Sequence, residues 1–130
     1  MIVQADVAVR RAGLNIVALE TTGVRLRRMP TVLRAILGRR VQAITLNRTV
    51  FINAAHYDAV VAGSDPVLLV HELVHVSQWR DNGVFCFSAR YLSDYVRLRM
   101  LGIGHDAAYR GIGFEHAAYD AASQYESLAA

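Results

Sequence analysis

Asp65-Pro66-Val67-Leu68-Leu69-Val70-His71-Glu72-Leu73-Val74-His75-Val76-Ser77-Gln78-Trp79-Arg80-Asp81-Asn82-Gly83 is the stretch on which the fold turns. Asp65 is a good N-cap, Pro66 suits the first helical position, and Asn82-Gly83 is a good stop. The two signals predict a helix over 66–81. Leu68, Leu69, Leu73, Val74 and Val76 mark that helix as largely buried. Set into it are His71, Glu72 and His75, whose burial costs several kcal/mol unless they are paired or bound. A helix that carries such groups into a core has a use for them.

Outward from this helix, the preceding chain reads mainly as strands. Val41–Leu46 and Thr49–Asn53 are β-branched and apolar, with Asn47-Arg48 between them, which predicts a hairpin. Residues 2–9 alternate loosely through Val3, Ala5, Val7 and Val9, as a first strand would, and Leu14–Leu19 fits a short strand or a helical turn. Met29-Pro30 opens a short helix with Val32, Leu33, Ile36 and Leu37 on one face, and Gly38 ends it. The following chain reads as helices. Ser88 caps one over 89–101, closed by Gly102, and a glycine-rich joint (Gly102, Gly104, Gly111, Gly113) leads into a last helix over about 114–128. Strands first and helices after predict a single compact α+β domain over residues 1–130, with no internal repeat. Cys86, between Phe85 and Phe87, reads as a small buried hydrophobe, His56 as a solvated loop residue, and Trp79, Tyr91 and Tyr95 as packing between helices.

The composition narrows the class. The chain has 130 residues, 54% of them hydrophobic and 19% charged, enough for one buried core and too few for two. No apolar run reaches the roughly 20 residues of a spanning helix. A single cysteine excludes an intrachain disulfide framework. The N-terminal residues lack the pattern of a secretory signal, so the expected location is the cytoplasm, or export by a non-classical or dedicated system. The net charge of +3 conceals an asymmetry. Residues 1–48 hold nine arginines against Asp6 and Glu20, giving +7, and residues 49–130 hold five against nine acids, giving −4. All fourteen basic residues are Arg. No aromatic residue interleaves the arginines from Arg25 to Arg40, as a single-strand nucleic-acid groove requires, so a solvated basic face is the expectation.

His71-Glu72-Leu73-Val74-His75 is an HExxH motif. Residues four apart share a helix face, with Cβ atoms about 5–6 Å apart, so two imidazoles can aim at one metal. Glu72, rotated about 100° from His71, reaches the attacking water instead. No cysteine lies near to close the site, which favours a catalytic over a structural metal. The third ligand has to come from elsewhere. Asp81 stands where the HExxHxxGxxH pattern puts its last ligand, but Gln78 occupies the turning glycine's place and the helix carries Asp81 away. Glu115, forty residues after His75, opens the last helix among small neighbours (Ala117, Ala118, Ala121, Ala122) that permit close packing. His105 and His116 are substitutes for it.

The run His71-Glu72-Leu73-Val74-His75-Val76-x-Gln78-Trp79, followed by tyrosines and a Glu-x-x-Ala helix start, resembles the small bacterial gluzincin-type (minigluzincin-like) zinc metallopeptidase domains. Those domains include ones found beside contractile injection systems and in polymorphic toxins. The resemblance covers about residues 41–126. It implies one zinc ion held by His71, His75 and Glu115, Glu72 as general base, and a peptide or protein substrate. It also implies a Tyr or His that stabilises the oxyanion, with Tyr109, His105 and Tyr119 near enough in sequence to serve. An extended substrate would lie along the 49–53 strand, which gives Phe51 and Asn53 as substrate-binding residues. Tyr119 stands where larger gluzincins have an Asp that orients a ligand His, and Asp120 lies one step further round the helix. Three functions follow: a zinc peptidase; a catalytically silent zincin-like interaction or packaging module, associated with a secretion or toxin system, in which zinc is structural; and an Arg-mediated binder of nucleic acid or acidic protein.

Neither a membrane nor a nucleic-acid partner is expected. A functional anion site in the basic third would give nucleic-acid binding that weakens steeply with salt. The expected result of a titration at low ionic strength is a flat line.

Overall fold

The computed structural model describes residues 2–14, 21–38 and 41–129, with side chains as far as residue 124. The chain runs β1 (Ile2–Gln4), α1 (Ala5–Arg11), β2 (Arg25–Arg28), α2 (Thr31–Leu37), β3 (Ala43–Leu46), β4 (Thr49–Ile52), α3 (Ala54–Ala62), α4 (Pro66–Met100), α5 (His105–Gly111) and α6 (Gly113–Ala129). It is an α+β fold. The strands form one sheet in the order β1-β2-β4-β3, with β2 and β4 parallel and the other pairs antiparallel. β4 is therefore paired on both sides, and β3 is a free edge.

The hairpin β3–β4 turns at Asn47, the one non-glycine described residue with positive φ (57°), as its small polar side chain permits. Residues alternate across the sheet. Leu26, Val50 and Ile52 point to one face and are fully or almost fully buried beneath Leu69, Leu73 and Val76 of α4 and Tyr57 and Val60 of α3. Arg25, Arg27, Ile44, Leu46 and Phe51 point to the other, uncovered face, where the Arg27 guanidinium lies over the Phe51 ring.

α4 starts as the sequence predicts. The Asp65 carboxylate accepts from the Leu68 N–H (3.2 Å), and Pro66 opens the helix. It breaks at Gly83, whose φ of 78° and ψ of 160° are not helical. The break has a consequence for packing. Trp79 and Phe87 would stand about 12 Å apart along a straight helix, yet their rings stack at 4.1 Å. Gly83 lets the chain bend so that a second arm, over 84–100, folds its aromatic side back onto the first. No single described helix is long and apolar enough to cross a membrane.

Several expectations are corrected. The first strand ends at Gln4, and residues 5–11 form a helix, because Ala5 and Ala8, both fully buried, lie one turn apart against α3. Residues 54–62 form α3, which places His56 on a helix; the carboxamide oxygen of Asn53 accepts from the Ala55 N–H (3.1 Å) and caps it. The helix after Gly83 starts earlier than Ser88, and the glycine-rich joint contains α5. Cys86 is exposed, since the inward position is taken by Phe87. The Val32–Leu37 helix forms, but Val32 and Ile36 face solvent. Leu14 is buried in the core, and the rest of the 14–19 segment lies outside the described residues.

Gly63 ends α3 with φ at 84°, and a Cβ there would stand 2.4–2.6 Å from the Arg11–Ala12 backbone. Gly63→Ala therefore has to part α1 from α3. Chemical denaturation should show a loss of about 2 kcal/mol or more, against a few tenths for an exposed control such as Gly104→Ala, where nothing lies within 4 Å.

Candidate metal centre

His71 and His75 stand one turn apart on the buried side of α4, with ring centroids 4.9 Å apart and nearly perpendicular. Their Nε2 atoms are 3.2 Å apart, and Glu115 Oε1 lies 3.1 Å from each. Three donors at the corners of a near-equilateral triangle suit one face of a tetrahedral ion with bonds of about 2.0–2.1 Å, whose ligand atoms stand about 3.4 Å apart. All three residues are buried, and among the described residues they are the one such group of His, Cys, Asp or Glu.

Neighbouring groups hold each ligand. His75 Nδ1 donates to Gln78 Oε1 (2.8 Å), which fixes the ring with Nε2 toward the triangle. The Gln78 amide in turn donates to the Phe114 carbonyl (2.9 Å). Tyr91 donates to Glu115 Oε2 (2.7 Å), so one carboxylate oxygen is tied to the second arm and the other faces the histidines. The Phe114 ring stacks on Phe87 at 4.7 Å, and the Gly113 N–H donates to Asp94 (3.1 Å). These contacts fix the start of α6 and so aim Glu115.

Glu72 is buried and lines the same cleft as the triangle, outside the ligand group. Its Oε2 accepts from the Thr45 hydroxyl at 2.7 Å, and the Thr45 carbonyl accepts from Trp79 Nε1 at 3.1 Å. The edge strand β3 is thus bonded to α4 within the motif and again one turn beyond it. No buried side-chain polar atom among the described residues lacks a partner.

Charge organises the site further. Burial works against a charged His75, but the hydrogen bond and charge of Glu115, with Glu72 and Gln78, hold its pKa above the usual imidazole value. Burial also works against an ionised Glu115, yet the hydrogen bonds from His71 and His75, the charge of His75 and the Tyr91 hydroxyl hold it well below the carboxylate range. Burial, then the charge of Glu115, pushes the Tyr91 and Tyr109 hydroxyls far up, so both remain protonated donors.

The triangle opens into a cleft of about 1050 Å³ between β3 and the second arm of α4. Tyr109, His105 and Tyr119, the three residues named for oxyanion stabilisation, all line it. Tyr109 is half-buried and shares a hydrogen bond with Tyr91. His105 is exposed at the rim, its Nδ1 2.8 Å from the Tyr95 hydroxyl. Tyr119 packs edge-on against His71 (4.5 Å), filling by contact the place of an orienting carboxylate. Asp120 pairs with His116 on the exposed side of α6, and Asp81 is exposed beside Arg80, so none of the three reaches the triangle. Phe51 and Asn53 are not in the cleft. β4 has strands on both sides, Phe51 lies on the uncovered sheet face, and Asn53 is buried as the cap of α3, donating to the Val41 carbonyl. The groups facing the cleft belong to β3. Thr45, which the sequence reading did not name, and Gln78, read there only as standing in place of a glycine, hold the motif in place; the one signal for Thr45 was its position in a strand of alternating pattern before the motif.

The family model of the eCIS core domain matches residues 6–83. The chain belongs to that family, the core domain of extracellular contractile injection systems. It is thereby a module associated with a secretion or packaging system. No curated protein and no solved structure matches it. The matched stretch includes strands β2, β3 and β4 and His71, Glu72 and His75, and ends at Gly83, so β1 and Glu115 come from outside it.

Removing Glu115 takes the carboxylate away from two buried imidazoles and from the Tyr91 hydroxyl. In chelator-treated protein, Glu115→Ala should cost about 3–5 kcal/mol in urea unfolding. Asp120→Ala on the opposite face of α6 should cost less than about 1 kcal/mol.

Proposed function

We propose that this injection-system module is a mononuclear zinc peptidase. The observation that carries the reading is the triangle of His71, His75 and Glu115 donors with a carboxylate, Glu72, beside it that the ligand set does not use. Three protein ligands facing a wide cleft make an open site, the arrangement of catalytic rather than structural zinc. Zinc bound there would supply a Lewis acid for the scissile carbonyl and for water. The chain's own residues do the rest. Thr45 holds Glu72 Oε2, leaving Oε1 to take the proton of the attacking water and pass it to the leaving amine. Tyr109, kept protonated and lining the cleft, would donate to the developing oxyanion. An extended peptide finds one free sheet edge beside the cleft, that of β3. Asn53 N–H bonds to the Gln42 carbonyl, so Ala43 and Thr45 direct their backbone groups outward, and Trp79 takes the Thr45 carbonyl.

Family membership by itself favours a second reading more directly, because it names an assembly and not a reaction. In that reading zinc ties α6 to α4 and the module docks or packages without turnover.

Glu72 separates the two. Glu72→Gln should keep one zinc per chain and the wild-type melting temperature while slowing cleavage of a mixed peptide library about 10²–10⁴-fold. His75→Ala should lose zinc and melt lower. Zinc affinity in the wild type should weaken as pH falls, because the metal has to displace the proton that Glu115 favours on His75. Wild-type protein with full zinc and no turnover would support the silent module, and equal turnover with and without zinc would contradict the peptidase.

A further inference from the structure

The second arm of α4 is apolar on both sides. Its inner side carries Phe87, Tyr91 and Leu98 against the rest of the molecule. On the opposite side, at about 100° per residue, Phe85, Ala89, Leu92, Val96 and Met100 fall within about 80° of arc. That stripe is bare: Phe85 is 86% exposed, Met100 82%, Leu92 63% and Val96 44%. An exposed apolar stripe of this length, flanked by Arg90, Asp94, Arg97 and Arg99, is a surface that wants cover, and it lies wholly beyond the stretch shared with the family, which ends at Gly83.

We infer that a second copy of this chain covers the stripe, arm against arm and antiparallel. The pattern is its own complement. About a two-fold axis between Leu92 and Ser93, Phe85 meets Met100, Ala89 meets Val96, and Leu92 meets the same region of the other arm, a large residue against a smaller or flexible one at each level. Such a pairing is isologous and closes at two copies. Charge selects the direction. Arg97 and Arg99 sit at one end, and residues 84–89 at the other carry no charge. The antiparallel pair sets basic end against neutral end, whereas a parallel pair would stack arginine on arginine. Phe85, Leu92, Val96 and Met100 make the apolar centre of a patch that reaches about 800 Å² per partner, the size of a standard interface, only with a polar rim around it. Ser88 and Leu92 also line the cleft, so the other copy's arm would extend the cleft wall.

The test is sedimentation equilibrium of the full chain from micromolar to millimolar concentration. A monomer–dimer equilibrium is expected, weakened at least tenfold by Leu92→Glu/Val96→Glu with the melting temperature of the dilute protein unchanged. Register is read by oxidation. Cys86→Ser/Ser93→Cys should cross-link to itself, because its two thiols face one another at the axis, while the two native Cys86 thiols, about 20 Å apart along the arms, should not. A monomer at every concentration, a double variant that dimerises like wild type, or a monomer that instead pellets with anionic vesicles would each overturn the inference.

Discussion

One carboxylate oxygen, Glu115 Oε1, lies 3.1 Å from two histidine nitrogens in the interior, and the remainder of the structure is arranged around that contact. The histidines cannot lie on a buried helix without an acceptor or a metal, since each unmet polar group there costs about 1–3 kcal/mol. Glu115 comes from forty residues further along the chain. Its arrival requires the bend at Gly83, the Trp79–Phe87–Phe114 stack and the Gly113–Asp94 bond. The sheet has a parallel task on the other side of α4, where Thr45 holds Glu72.

What could be read from sequence was local. The Asp65-Pro66 cap, the Gly83 stop, the turn at Asn47 and the one-turn spacing of His71 and His75 are set by residues within a few positions of one another, and the structure has each. What failed was decided by tertiary partners. Ala5 and Ala8 fit the alternation of a strand as well as the repeat of a helix, and packing on α3 chose the helix. The α3 segment, Ala54–Ala62, has hardly any amphipathic contrast to read. Phe51 and Asn53 follow the hairpin into β4, but the position of β4 within the sheet depends on its parallel pairing with β2, twenty-odd residues earlier. Glu115 was legible as an acid opening a small-residue helix; the Tyr91 and Gln78 bonds that aim it were not.

The family match stops at the glycine where α4 bends. The shared part holds three of the four strands, the three motif residues and Trp79, and the remainder holds the third member of the triangle, Phe87 and Phe114 of the aromatic layer and the cleft's outer wall. The inner side of the 84–100 arm thus completes the site, and its outer side carries the bare apolar stripe.

The central claim is that His71, His75 and Glu115 form one open mononuclear site. X-ray absorption at the zinc edge of protein loaded with one equivalent tests it most directly. The account predicts two imidazole nitrogens and two oxygens, one of them from solvent, all at about 2.0–2.1 Å. A shell containing sulfur, or six oxygens with no imidazole signature, would contradict it.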